Sequence, residues 1–172
     1  MKKIFLTTFL CAFTTLLLAQ KHNIVNASIA LKNSNLSEAK QYIDEAYANE
    51  KTSNAAKMWN YRSKIYLQIA LTQADIDPDA IFEATKAHLA CLQTDKKGRI
   101  VVRKWTREED VRTGLLQCAQ KLFNMGASSY ESKNYEQALT YYKTILDILP
   151  YDTENLASIK ITRGNIYMNS FY

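Results

Sequence analysis

Apolar residues recur along most of this chain at intervals of three and four, the spacing that gathers side chains onto one face of an α-helix. Ala27, Leu31, Leu36, Ala39, Ile43 and Ala46 form one such stripe, and Ala84, His88 and Cys91 continue the pattern further on. Gly126 and Tyr130, followed by Tyr135, Ala138 and Tyr142, form another stripe, with Lys133-Asn134 between them as a turn. Alternation with a period of two is almost missing, and Ile100-Val101-Val102 is a single short β-like triplet. Polar signals divide the stripes. Asn35 with Glu38, Thr106 with Glu109 and Asn134 with Gln137 each place a capping residue three positions before a glutamate or glutamine. Asp77-Pro78 reads as a cap followed by a proline in the first turn, where a missing N–H costs nothing. Gly98 after Lys96-Lys97 reads as a helix stop, Pro150 as another, and Asp152 as the start of a last helix. The pattern predicts seven helices, at roughly 23–33, 36–50, 54–74, 78–95, 107–132, 135–149 and 153–171.

The N-terminus follows a different pattern. Met1-Lys2-Lys3 is a short positive region, Ile4 to Leu18 is apolar and uncharged, and Ala19-Gln20 closes the run. This is the anatomy of a secretory signal peptide, and it is short for a membrane span of about 20 residues. Cleavage after Ala19 puts Leu17 where a small residue is preferred, so an uncleaved anchor stands as the alternative. Cys11 lies inside the run, after Phe9-Leu10, which is not the place of a lipid-modified cysteine. The expected organisation is therefore a signal peptide at 1–19 and one helical domain at 20–172, exported to the periplasm or cell envelope.

Composition narrows the reading. Four glycines and two prolines in 172 residues suit an all-α chain. Without residues 1–19, 153 residues remain (172 − 19), enough for one core. Their charge is +3, from 20 basic (22 − 2) and 17 acidic residues, which is not the balance of a nucleic-acid binder. No membrane span is expected after signal cleavage. Cys91 and Cys118 meet an oxidising compartment after export; a disulfide and two buried free thiols are both open readings.

The segment Asn124–Pro150 resembles one tetratricopeptide repeat, with Gly126 where two helices approach closely, Tyr130 after it, and Tyr135, Ala138 and Tyr142 on the second helix. Trp59-x2-Arg62-Ser63-x2-Tyr66 is similar to the repeat's first-helix pattern, with arginine and serine in place of leucine and glycine. Gly164-Asn165-Ile166-Tyr167 looks like a further first helix. The resemblance covers 21–172, as approximate repeats 21–53, 54–98, 106–152 and an incomplete 153–172, and the start and end of the signal region resemble exported proteins of the Bacteroidetes type. It implies a right-handed α-solenoid of antiparallel helix pairs that binds a protein or peptide in a concave groove, without catalysis or cofactor. Carried over by position, the groove residues are Asn60, Lys64, Phe123, Ala127, Tyr130, Glu131 and Asn165. The spacing is irregular: Ala39 to Ala84 is 45 residues and Ala84 to Ala138 is 54, against 34 in a regular array. The excess predicts long connections around Thr72–Asp77 and Lys96–Arg107 and an extended helix bent at Gly114.

Candidate chemistry is sparse. His88 and Cys91 share a helix face, as a base and nucleophile must, but both follow the inward stripe and read as core residues. Asp75, Asp77 and Asp79 alternate, yet Pro78 and the missing downstream glycine and glutamate exclude a calcium loop. No four-ligand metal set and no phosphate loop is found. Lys96, Lys97, Arg99, Arg103, Lys104 and Arg107 make a basic connection around Trp105; Glu108, Glu109 and Asp110 offset half of it, so it reads as a solvated loop, with Trp105 against a helix. Ile161, Ile166, Tyr167, Met168, Phe171 and Tyr172 leave the last predicted helix with too much apolar surface for one neighbour. They predict self-association through the C-terminal helix, or continuation into a longer protein. The sequence thus reads as a non-catalytic scaffold or adaptor. The alternative is a structural subunit of an envelope assembly or secretion complex, docked through that C-terminal face.

Overall fold

In the computed structural model, which describes residues 22–152, two short polar turns are built alike. Ser34 and Lys133 each adopt a left-handed backbone, with φ of 58° and 61°. The amide of the next residue, Asn35 or Asn134, bonds back to the carbonyl of Ala30 or Ser129, closing the preceding helix. The same asparagine then caps the following helix, its side chain accepting from the amide of Glu38 at 3.3 Å or of Gln137 at 3.4 Å. These are the turns between helix 22–32 (α1) and Leu36–Ala48 (α2), and between Glu108–Glu131 (α5) and Tyr135–Ile148 (α6). Between them stand Ala56–Thr72 (α3) and Ala80–Cys91 (α4), and a short 3₁₀ turn, Leu149–Tyr151, follows α6.

The fold is all-α, with no strand among the described residues; Thr94 and Ile100 make only an isolated antiparallel bridge. Successive helices run antiparallel. Asn23 reaches Glu45, Tyr47 packs on Trp59, and Arg112 at the start of α5 donates to the carbonyl of Tyr151 beyond the end of α6. Among α2 to α6 the tightest neighbours are α3 with α4 and α5 with α6, and α3 also touches α5. The inward stripes meet in one continuous core that includes Ala27, Ile43, Met58, Ile69, Ala84, Leu122 and Ile145. The predicted helix at 153–171, its apolar face and Asn165 lie outside the described residues.

Several boundaries differ from the sequence expectation. The fourth helix begins at Ala80 and ends at Cys91, because Pro78 precedes it and the Asp77 carboxylate caps the amide of Asp79 instead. Gly98 therefore ends no helix. It has φ of 71° inside the connection, where the Asp95 carboxylate gathers the amides of Lys97 and Arg99 at 2.8 and 3.1 Å. The basic side chains of the connection are exposed, as expected of a solvated loop, but Ile100 and Val102 are buried and fasten it to the core. Thr106 does not cap α5; Arg107 is the capping position, with no side-chain cap bond.

Gly114 does not interrupt α5, which is continuous through it, and its role is one of contact. A Cβ there would overlap Nε2 of His88, which α4 presses against this point. Gly126 does the same for α6, where a Cβ would lie 2.7 Å from Cε1 of Tyr142. Tyr135, expected on the inner face with Ala138 and Tyr142, is 56% exposed. As the first residue of α6 it stands at the turn end of the hairpin, edge-on to Tyr130 at 5.3 Å.

Candidate binding cleft

Position 62 explains how α2, α3 and α4 are locked together. The repeat pattern has leucine there, but this chain has an arginine, almost fully buried. Its guanidinium lies 4.4 Å from the ring centres of both Tyr47 and Tyr66. It bonds Asp44 at 2.6 Å and Glu83 at 2.8 Å, so three helices meet on one cation. Tyr66 donates its hydroxyl to the same Asp44 at 2.6 Å, and Lys40 adds a bond at 2.9 Å. Burial alone would raise the Asp44 pKa; the bonds from Tyr66, Lys40 and Arg62 outweigh it and hold the carboxyl below its ordinary value. Burial and the bond to Asp44 push Tyr66 up to about 12.

On another side of α3, Asn60, Ser63 and Lys64 face α5 across a cleft of about 260 Å³, with His88 and Gly114 also in its wall. Lys64, Thr106 and Asp110 also line an adjoining space of about 730 Å³ under the 92–107 connection, whose mouth carries Arg99, Arg103 and Trp105. Trp105 is 40% exposed here and not packed into a helix, because Ile100 and Val102 take the buried positions of the connection. Its cations are mostly engaged. Arg99 and Arg103 bond Asp95 at 2.9 and 3.2 Å, and Arg107 bonds Asp110 at 2.7 Å.

The structure brings Asn60 and Lys64 together in this cleft. Phe123, Ala127, Tyr130 and Glu131 lie later on α5; Phe123 is partly buried with its ring 6.0 Å from that of Tyr142, and Tyr130 is 55% exposed. Sequence reasoning missed Ser63, Thr106, Asp110 and Gln117 as cleft residues. The arginine-serine departure at 62 and 63 was the available signal, since a polar pair inside an apolar stripe has to find partners.

The buried nucleophile candidates are held neutral. His88 is 4% exposed. Burial lowers its pKa to about 4 despite the bond of Nδ1 to the Ala84 carbonyl at 2.7 Å, and the Lys64 charge lowers it further. Because a carbonyl only accepts, Nδ1 carries the proton and Nε2 a lone pair. Cys91 and Cys118 are free thiols, each pushed up to about 12 by burial. Cys118 lies 3.9 Å from Nδ1 of His88, so the pair stays thiol and neutral imidazole. Among the described residues no three histidine, cysteine, aspartate or glutamate side chains group as a metal set. No described helix is long and apolar enough to cross a membrane. Comparison with protein-family models, with curated proteins and with solved structures gives no match.

Proposed function

We propose that this protein is a non-catalytic scaffold or adaptor, a tetratricopeptide-like right-handed array of helix pairs that binds a protein or peptide between its first helices. The observation that carries this reading is the cleft between α3 and α5, the two helices that the repeat resemblance assigns to a groove, with Asn60 and Lys64 in its wall. The repeated turn geometry at Ser34-Asn35 and Lys133-Asn134 supports the array. The neutral, buried state of His88, Cys91 and Cys118 supports binding over chemistry, because a thiol pushed up to about 12 is almost wholly protonated near neutral pH. The Lys2-Lys3 start and the run from Ile4 to Leu18 support export to the periplasm or envelope.

The test is affinity capture from the native envelope with the mature chain, followed by mass spectrometry, with a cleft-blocked variant such as Thr113→Trp in parallel. A partner retained by the parent and lost from the variant supports the reading. A chain that retains nothing above background, or equal retention by both, contradicts it.

A further inference from the structure

The net charge of this chain is gathered in one place. Residues 95–112 hold seven lysines and arginines against four acids, a surplus of three that equals the whole surplus of residues 20–172. Within the stretch the acids are already matched to arginines: Asp95 to Arg99 and Arg103, Glu108 to Arg112, and Glu109 and Asp110 to Arg107. Lys96, Lys97 and Lys104 supply the surplus. They are exposed, and their ammonium groups make no ion pair or hydrogen bond among the described residues. The backbone that carries them is braced. The amide of Asp95 donates to the Arg99 carbonyl at 2.9 Å and that of Val101 to the Gln93 carbonyl at 2.8 Å, while Ile100 and Val102 are buried. The amide of Trp105 donates to the Val102 carbonyl at 2.8 Å, so the turn that buries Val102 leaves Trp105 at the surface. Its ring shares the mouth of the outer space with Arg99, Arg103 and Arg107. A loop set in this way has little freedom to lose on binding.

We infer that this connection docks the protein onto the surface of an anionic phospholipid bilayer, with the three lysines over the headgroups and the Trp105 ring at the interface. This goes beyond the adaptor reading and does not depend on it. Indole rings favour the headgroup level of a bilayer, and basic side chains beside it gain from the negative surface potential. That attraction is screened within about 10 Å in moderate salt, so the cations have to lie close to the anchor. They do: Lys104 adjoins Trp105, and Lys96 and Lys97 adjoin Gly98, which lines the same mouth. A single-stranded nucleic acid would need a row of rings on which to stack, and Trp105 is the lone aromatic lining that mouth among the described residues.

The test uses the mature chain and vesicles of phosphatidylcholine, alone or with a third phosphatidylglycerol. Flotation should recover the parent with the anionic vesicles and not with the neutral ones. In Trp59→Phe, which leaves Trp105 as the only tryptophan, the anionic vesicles should shift the emission to the blue. The triple variant Lys96→Gln, Lys97→Gln and Lys104→Gln should bind at least about tenfold more weakly. Its melting temperature should stay that of the parent, because no partner of these side chains is lost. A second triple variant, Lys32→Gln, Lys51→Gln and Lys143→Gln, removes the same charge from exposed positions elsewhere and should bind as the parent does. Equal recovery with neutral vesicles, equal loss in the two triple variants, or an unshifted Trp105 emission overturns the proposal. So does displacement by glycerol phosphate at about 1 mM, which would make this an anion site and not a bilayer contact. The two readings fail separately, because vesicle binding needs no protein partner and the loss of a captured partner from Thr113→Trp needs no lipid.

Discussion

Gly114→Ala puts the packing of α4 on α5 to a test of sign. In an exposed helix this change is favourable by about 1 kcal/mol, because alanine restricts the unfolded chain and suits the helix. Here the new Cβ would overlap Nε2 of His88 and lie 2.9 Å from its Cδ2. The ring cannot simply turn away. It is 4% exposed, its Nδ1 is held by the Ala84 carbonyl at 2.7 Å, and Cys118 lies behind it at 3.9 Å. Relief requires breaking the Ala84 bond or separating α4 from α5. Overpacking of this kind costs about 1–3 kcal/mol, and breaking a buried hydrogen bond adds about 1 kcal/mol. Set against the helix gain, the net loss is about 1–3 kcal/mol, read as a fall in melting temperature of about 3 °C per kcal/mol for a chain of this size. The control is the same change in a His88→Ala background, where the obstacle is gone and Gly114→Ala should stabilise by up to about 1 kcal/mol. Chemical denaturation of the four proteins gives both numbers. A rise in stability on Gly114→Ala in the parent would refute the contact.

Three further outcomes follow from the same geometry. His88 titrates near 4 when folded and near 6.5 when unfolded, so the unfolded chain takes up its proton first as pH falls. The contribution of His88 to stability is therefore constant above 6.5, declines between 6.5 and 4 by about 3 kcal/mol, and is constant below, where the lowered carboxyl of Asp44 loses its own contribution; urea titrations between 6.5 and 4 should show the decline, and His88→Gln should flatten it. Arg62→Met removes the cation shared by Asp44 and Glu83 and should cost about 3 kcal/mol, since two partly buried carboxylates lose their partner; a melting temperature equal to the parent's would mean that the clasp adds nothing. Lys133→Gly should raise stability by about 1 kcal/mol, because a left-handed φ of 61° suits glycine better than lysine, and no change would show the turn to be relaxed already.

What was legible in the sequence was what depends on neighbours three or four residues apart. The stripe of α2, Ala138 and Tyr142 of α6 and the asparagine caps at 35 and 134 rest on local geometry, and the structure has them where the spacing puts them. Errors arose where a distant element decides the outcome. Gly114 looked like a bend because the ring that needs its bare Cα belongs to α4, 26 residues earlier. The charges of Lys96 to Arg107 are exposed as expected, but they mask Ile100 and Val102, which fasten the connection to the core. In the cleft, Asn60 and Lys64 came from positional resemblance, but Asp110 and Gln117 face them only through the α3–α5 contact, which no local pattern encodes.

The central claim, that the α3–α5 cleft is where this protein meets its partner, is tested most directly by crosslinking in the living cell. A photoreactive residue at Lys64 lies at the cleft rim, and one at Thr140 lies exposed on α6 and outside the cleft lining. The account predicts a discrete protein adduct from position 64 that Thr113→Trp suppresses, and none of that mass from position 140. Irradiation that gives the same adduct from both positions, or none from position 64, would contradict it.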